Sequence, residues 1–198
     1  MTVASQTLRE VTGMGFKHAS LIESALVMVD CQNTYRQGIM QLTHVEAALQ
    51  QAQKLLTQAR QLGIPVIHIQ HDAGPGTPYD IRAEIGAIAE EVAPQNGEAV
   101  VVKQYPNAFW HTPLEAQLKS LNIEHVVLAG FMTHMCINST ARGAFNLGFK
   151  PTVVASACAT RSLVGPQGKV MDAQTMHDSA LAAIRDLFAV VVDDVAQL

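Results

Sequence analysis

Short β-rich runs alternate along the chain with segments whose apolar positions recur every three or four residues. The first run, residues 25–30 (ALVMVD), is apolar until it closes on a carboxylate. A polar loop follows over 31–42. Thr43 with Glu46 three residues on predicts a helix start in which each side chain satisfies one free N–H. Val45, Ala48, Leu49, Ala52, Leu55, Leu56, Ala59 and Leu62 then form one apolar stripe, the pattern of a helix packed on one side. Gly63 stops it, because glycine accepts the left-handed turn that ends helices.

The alternation continues to the C-terminus. Residues 65–71 (PVIHIQH) predict a second strand, 72–79 a Gly/Pro-rich loop and 81–92 a short helix. Residues 99–103 (AVVVK) predict a third strand. Thr112, Pro113 and Glu115 predict the cap, first turn and reciprocal carboxylate of another helix. Strands over 125–130, 151–156 and 190–194 and helices over 133–147 and 172–188 complete the pattern. Strands this apolar, separated by helices, are buried on both faces, which requires a parallel sheet covered by helices. The expectation is a single α/β domain over 1–198, doubly wound and Rossmann-like. It has six parallel strands, helices on both faces and a variable N-terminal segment over 1–20.

In such sheets the ligand crevice lies beyond the carboxyl ends of the strands. Asp30 ends the first strand, His71 and Asp72 the second, and Lys103 the third. The fourth runs into Gly130, Phe131, Met132 and Thr133, with Cys136 in the first turn of the next helix. With Thr133 as N-cap, Cys136 is the third helical residue. There, free N–H groups and the helix dipole favour a thiolate and can bind a developing oxyanion. Asp30 can serve as general base, and Lys103 supplies a nearby positive charge. Each residue alone also has a bland reading: a buried small hydrophobe for the cysteine, a turn or cap residue for the aspartate, a solvated side chain for the lysine.

Composition narrows the partners. Charged residues make up 15% of the chain against about 25% in ordinary soluble domains, so part of the surface is expected to be covered by another copy. A homo-oligomer, dimer or tetramer, is the expectation. The net charge of −4 and the absence of basic runs exclude a nucleic-acid partner, and no apolar stretch approaches the roughly 20 residues that span a bilayer. Residues 1–17 hold no apolar signal core. Cys31, Cys136 and Cys158 are odd in number with no CxxC pair, which fits a reducing, cytoplasmic setting.

Four segments together resemble the isochorismatase-like cysteine hydrolase family, which includes nicotinamidases, N-carbamoylsarcosine amidohydrolases and isochorismatases. They are 26–35 (LVMVDCQNTY), 101–109 (VVKQYPNAF), 127–148 (VLAGFMTHMCINSTARGAFNLG) and 152–160 (TVVASACAT). The third is the most specific, with Gly130, Thr133 and Cys136 spaced G-x-x-T-x-x-C. The resemblance implies a catalytic triad of Asp30, Lys103 and Cys136. It also implies an oxyanion hole from the N–H groups of Met132 and Cys136, and a cis peptide between Phe131 and Met132. The implied reaction is metal-independent cleavage of a C–N bond in a small amide or carbamoyl compound through a thioester. Tyr35, His71, Phe109 and Phe131 are the expected pocket residues, with Tyr35 at the family's aromatic position after D-x-Q.

The chain also departs from its resemblance. Ser156 stands where relatives usually carry Asp. The D-x-H set of zinc-binding nicotinamidases is absent after the second strand, so no metal and no cofactor are expected. The presence of Cys136 favours thiol chemistry over isochorismatase-type vinyl-ether hydrolysis. That hydrolysis, and a non-catalytic binding or scaffold role, stay as alternatives. Cys31 and Cys158 are read as core, His177 as structural, and His71 and Asp72 as either pocket or loop residues.

Overall fold

Six parallel strands form the sheet that the alternation of apolar runs demands: β1 (Ser24–Val29), β2 (Val66–His71), β3 (Ala99–Lys103), β4 (His125–Phe131), β5 (Lys150–Ala159) and β8 (Val190–Val192). The computed structural model describes residues 5–95 and 97–198. The strand order is β3-β2-β1-β4-β5-β8. A two-stranded antiparallel hairpin, β6 (Leu163–Val164) with β7 (Val170–Met171), stands apart from the sheet. Winding reverses between β1 and β4, and a crevice opens at such a switch point.

Helices cover both faces. Besides a short N-terminal turn, α1 (Leu8–Val11), they are α2 (Val45–Leu62), α3 (Leu114–Ser120), α4 (Asn138–Asn146) and α5 (Ala173–Arg185). Alternate residues of β1 divide between the layers. Leu26 and Met28 pack with α2, whereas Ala25, Val27 and Val29 pack with α3, α4 and α5. All of β1 is buried, which explains its unbroken apolar run. The closest approach is at Gly130 on β4. Its φ is +124°, and a Cβ there would lie 1.9 Å from the Val29 carbonyl oxygen. Only glycine lets β4 run this close to β1 at the switch point. Among the described residues, no helix is long and apolar enough to cross a membrane.

Four local expectations are corrected. Residues 81–92 form no α-helix but two 3-10 turns, Glu84–Gly86 and Glu90–Val92. Their carbonyls are already engaged: Gln32 donates to Gly86 O, Asn33 to Glu84 O and Thr34 to Ile85 O, at 2.7–3.0 Å. Tertiary partners have taken the acceptors that a helix needs. Helix α2 is capped by His44 at a left-handed φ of +57°, because Thr43 N–H donates to Thr160 O and Glu46 is held by Arg36. The Thr112–Glu115 box does not form. Pro113 is the N-cap residue of α3, and Glu115 pairs with Lys119 at 2.6 Å. The expected helix over 133–147 opens as a π-helical turn, Thr133–Ile137, before α4, with Met132 as the preceding extended residue. Cys136 is therefore the fourth residue of that turn.

Candidate active site

The ends of β1, β3 and β4 deliver their polar residues to one buried point. The backbone at Asp30 leaves β1 in the left-handed region, φ +49°, which short polar side chains tolerate better than most. Asp30 N–H still donates to Ile69 O, while Gln32 N–H turns back to Asp30 O. Gln32 is fully buried. Its side chain accepts from His71 N–H and donates to the carbonyls of His71 and Gly86, binding the ends of β1 and β2 together.

Lys103 is the hub. Its Nζ lies 2.7 Å from Asp30 Oδ2, 3.3 Å from Cys136 Sγ and 3.2 Å from His71 Nδ1. These three neighbours match the three hydrogens of an ammonium. An ammonium only donates, so His71 is neutral, accepts on Nδ1 and carries its proton on Nε2. Asp30, Lys103 and Cys136 are 0%, 1% and 5% exposed. Neither Asp30 oxygen has a donor in hydrogen-bonding geometry among the described residues. The 2.7 Å contact is a buried ion pair.

Burial lowers the Lys103 pKa, but the adjacent Asp30 carboxylate and Cys136 sulfur outweigh it, and the net shift is upward. The Cys136 thiol is pushed up, first by burial and then by Asp30, with Lys103 opposing. Desolvation and the carboxylate beside it thus work against the thiolate, and the Lys103 ammonium works for it. Burial, then Lys103, lowers the pKa of His71.

An aromatic wall stands beside the cluster. Tyr35 packs edge-on to Phe131 and to Tyr79, at centroid distances of 5.7 and 5.8 Å, and Tyr79 packs edge-on to His71 at 4.9 Å. Tyr35 and Phe131 are buried, and His71 and Tyr79 are partly exposed. Phe109 stacks on Phe149 at 5.6 Å, in the same core layer as Cys136. The Phe131–Met132 peptide is cis. Asp72 is tied by Arg82 and by Gly74 N–H, so it serves its loop. Cys31 and Cys158 are buried in the core, and the Ser156 hydroxyl is buried without a hydrogen-bond partner among the described residues.

Two residues escaped the sequence reading. Tyr79 closes the Gly/Pro-rich loop after β2, and an aromatic residue ending a loop at a strand's carboxyl end is the signal that would have found it. Arg161, just past β5, has its Nε buried with no hydrogen-bond partner among the described residues. Burial dominates the shifts at Tyr79 and His134, and the Arg161 charge is a smaller influence on both. Nothing in the periodicity marks it. No group of three or more His, Cys, Asp and Glu side chains among the described residues is arranged to hold a metal ion.

Comparison with known proteins places this geometry in a family. The family model described as the isochorismatase domain matches residues 24–194. A Bacillus subtilis protein named as an uncharacterized isochorismatase family protein, YddQ, is 37% identical over 171 residues, covering 85% of this chain and 94% of that one. The secreted isochorismatase effector Isc1 of Verticillium dahliae is 31% identical over 187 residues, covering 94% and 96%. The crystal structure of an isochorismatase from Pseudomonas putida KT2440 matches with a TM-score of 0.94 at 32% identity, covering 98% of this chain and 100% of that one. Other relatives are named ureidoacrylate amidohydrolase, from Stutzerimonas stutzeri, and maleamate amidohydrolase, from Pseudomonas putida. The chain belongs to the isochorismatase family of hydrolases.

Proposed function

We propose that the protein hydrolyses a C–N bond of a small carboxamide or carbamoyl compound, with Cys136 as nucleophile, Asp30 as general base and acid, and Lys103 as the charge that serves both. The observation that carries this reading is the buried ammonium of Lys103 touching a carboxylate and a thiol at once. A buried lysine is costly unless paired, and here the pair also solves a catalytic problem. Moving the thiol proton to Asp30 turns a carboxylate and a thiol into an acid and a thiolate. The net charge of the cluster is unchanged, and the ammonium simply exchanges one anion for the other. A raised thiol pKa is then no obstacle, because no new charge is created in a low-dielectric site.

The steps follow from that exchange. As Asp30 takes the thiol proton, Sγ attacks the amide carbonyl carbon. The N–H groups of Met132 and Cys136 hold the oxyanion. Collapse breaks the C–N bond, and the leaving nitrogen takes the proton from Asp30, releasing ammonia or an amine. Water then attacks the thioester while Asp30 accepts its proton, and the carboxylic acid departs as the sulfur is reprotonated. The trio is almost wholly buried, so the substrate is small. The aromatic wall of Tyr35, Tyr79 and Phe131 fits a flat one, with His71 Nε2–H as a donor.

Arg161 sharpens the substrate class. A guanidinium just past the end of β5, with its Nε buried and without a partner among the described residues, fits a carboxylate on the substrate. The relatives named for ureidoacrylate and maleamate act, by those names, on small amides that carry one. The test is ammonia release from a panel of carboxamides and carbamoyl compounds, with hydroxylamine added to trap the acyl-enzyme as a hydroxamate. No ammonia from any of them, or turnover with no hydroxamate, would remove the thioester mechanism. Arg161→Ala is expected to raise KM for a carboxylate-bearing amide by about 10- to 100-fold, the worth of a charged hydrogen bond. The neutral analogue should change less than about twofold. Equal losses on both would dismiss the arginine's role.

The proposal includes self-association. Val100 and Val102 on the edge strand β3, with Tyr105 and Trp110 beyond it, are exposed apolar side chains. A second copy would cover them. Light scattering should give a dimer or tetramer mass, and a monomer at micromolar concentration would rule this out.

A further inference from the structure

Helix α5 lies outside the Asp30–Lys103–Cys136 cluster, yet it sends one side chain back to the turn that carries Cys136. His177 Nδ1 is 2.9 Å from Thr133 Oγ1. Thr133 is fully buried and heads the Thr133–Ile137 turn, directly after Met132. A buried hydroxyl proton needs an acceptor, and His177 is the one found for it among the described residues. Thr133 therefore donates, and a neutral imidazole accepts on Nδ1. Burial holds His177 below its usual pKa, with Asp178 opposing, which keeps the ring in the accepting state.

The ring is also held at a set depth. Asn138 Nδ2 of α4 donates to Ala180 O of α5 at 3.1 Å, and Arg142 reaches Ala183 O, so the two helices are in fixed register. On the other side of the turn, His134 bonds Thr160 at the end of β5. The turn is thus gripped at two consecutive residues by two different elements. His177 lines a groove of about 520 Å3 along α5, together with His44, Asp178, Arg185 and Asp193, and none of the cluster's three residues lines it.

We infer that His177 is a positioning residue for the nucleophile turn: by holding Thr133 it sets the direction of the Met132 and Cys136 N–H groups and the place of the Cys136 sulfur. This rests on the amide-hydrolysis reading of the same site. Small misplacements of reacting groups are costly, of the order of a hundredfold for 1 Å. The hydrogen bond is remote from substrate, so its loss acts on the chemical step and not on binding.

The experiment compares His177→Ala with His177→Asn, whose side-chain oxygen can accept the same proton, and with Thr133→Val, which removes the bond from the other end. Amide hydrogen exchange over 133–137 reads the bond without turnover. Exchange should quicken in His177→Ala and Thr133→Val, within that turn, and return to wild-type protection in His177→Asn. On a carboxamide that passes the ammonia screen, kcat should fall at least about tenfold in His177→Ala with KM within about twofold, and recover in His177→Asn. Unchanged protection of the turn in His177→Ala overturns the inference, whether or not any amide is a substrate. So does a kcat equal to wild type, or a loss shared by the Asn variant. If His177→Ala does not fold, Thr133→Val against wild type decides it by the same exchange measurement. Failure of the ammonia screen alone counts against the amidase reading and leaves the exchange result to judge His177.

Discussion

Cys136→Ala is expected to lower ammonia release by about 10³-fold or more, with the fold intact. Removing a covalent nucleophile deletes the whole acyl-enzyme route, and only binding and oxyanion contacts remain to act on water. The packing change is small. A methyl group replaces a methylene thiol in a well-filled core layer, so the Tm should move only slightly. Cys136→Ser is the sharper variant, because its hydroxyl keeps the shape but gives up its proton far less readily than a thiol. It should lose nearly as much activity and yield no hydroxamate with hydroxylamine. Ammonia release by Cys136→Ala within tenfold of wild type would exclude the sulfur as nucleophile.

Lys103→Met should cost both activity and stability. It leaves the Asp30 carboxylate fully buried with no charge partner. Breaking a buried pair from one side costs about 3–5 kcal/mol. For a domain of this size that is a Tm drop on the order of 10 °C. Turnover should fall by at least about 10²-fold, since neither the carboxylate nor the emerging thiolate has its counter-ion. The double variant Asp30→Asn with Lys103→Met removes both charges and should regain most of the lost Tm while staying inactive. Stability restored without activity is the signature of a pair kept for chemistry. A Lys103→Met protein that melts with wild type would show that the lysine is not paired in the folded state. Burial works against the ammonium, yet Asp30 and Cys136 raise its pKa overall. A raised folded pKa means the pair's stabilisation is fully present below the unfolded lysine value of about 10.4. It is lost as pH rises past that value through the folded one. Calorimetry from pH 7 to 10 should therefore show no decline attributable to this pair.

The sheet was legible because its strands are short, predominantly apolar runs. In β1 both faces are covered, and residues 25–29 carry no polar side chain at all. The ends of strands were legible because a charge stops such a run, and parallel topology sends those ends to one side. Asp30, Lys103 and Cys136 could thus be gathered without coordinates. The cap residues failed for the opposite reason. Thr43 and Thr112 have the right neighbours in sequence, but Thr160 engages the Thr43 backbone and Arg36 captures Glu46, both from a distance along the chain. The 81–92 segment failed in the same way, its carbonyls taken by residues 32–34.

Among site residues, Tyr79 and Arg161 carried little signal, since a loop tyrosine and an arginine after a strand are ordinary on any surface. The place of Tyr79 depends on how the loop after β2 folds over β1, and no local pattern encodes that. His177 shows the middle case. Its helix was legible, but its partner Thr133 lies 44 residues away, and only packing of α5 on α4 brings the two together.

From the residues alone came the alternation of strand and helix, the parallel sheet and the three groups that meet beyond it, because burial and periodicity are properties of neighbouring positions. The tertiary structure alone decided the desolvation of the sulfur, the three contacts of the Lys103 ammonium and the grip of α5 on the nucleophile turn. Those depend on desolvation and on distances between segments far apart in sequence, and both exist only once the chain has closed on itself.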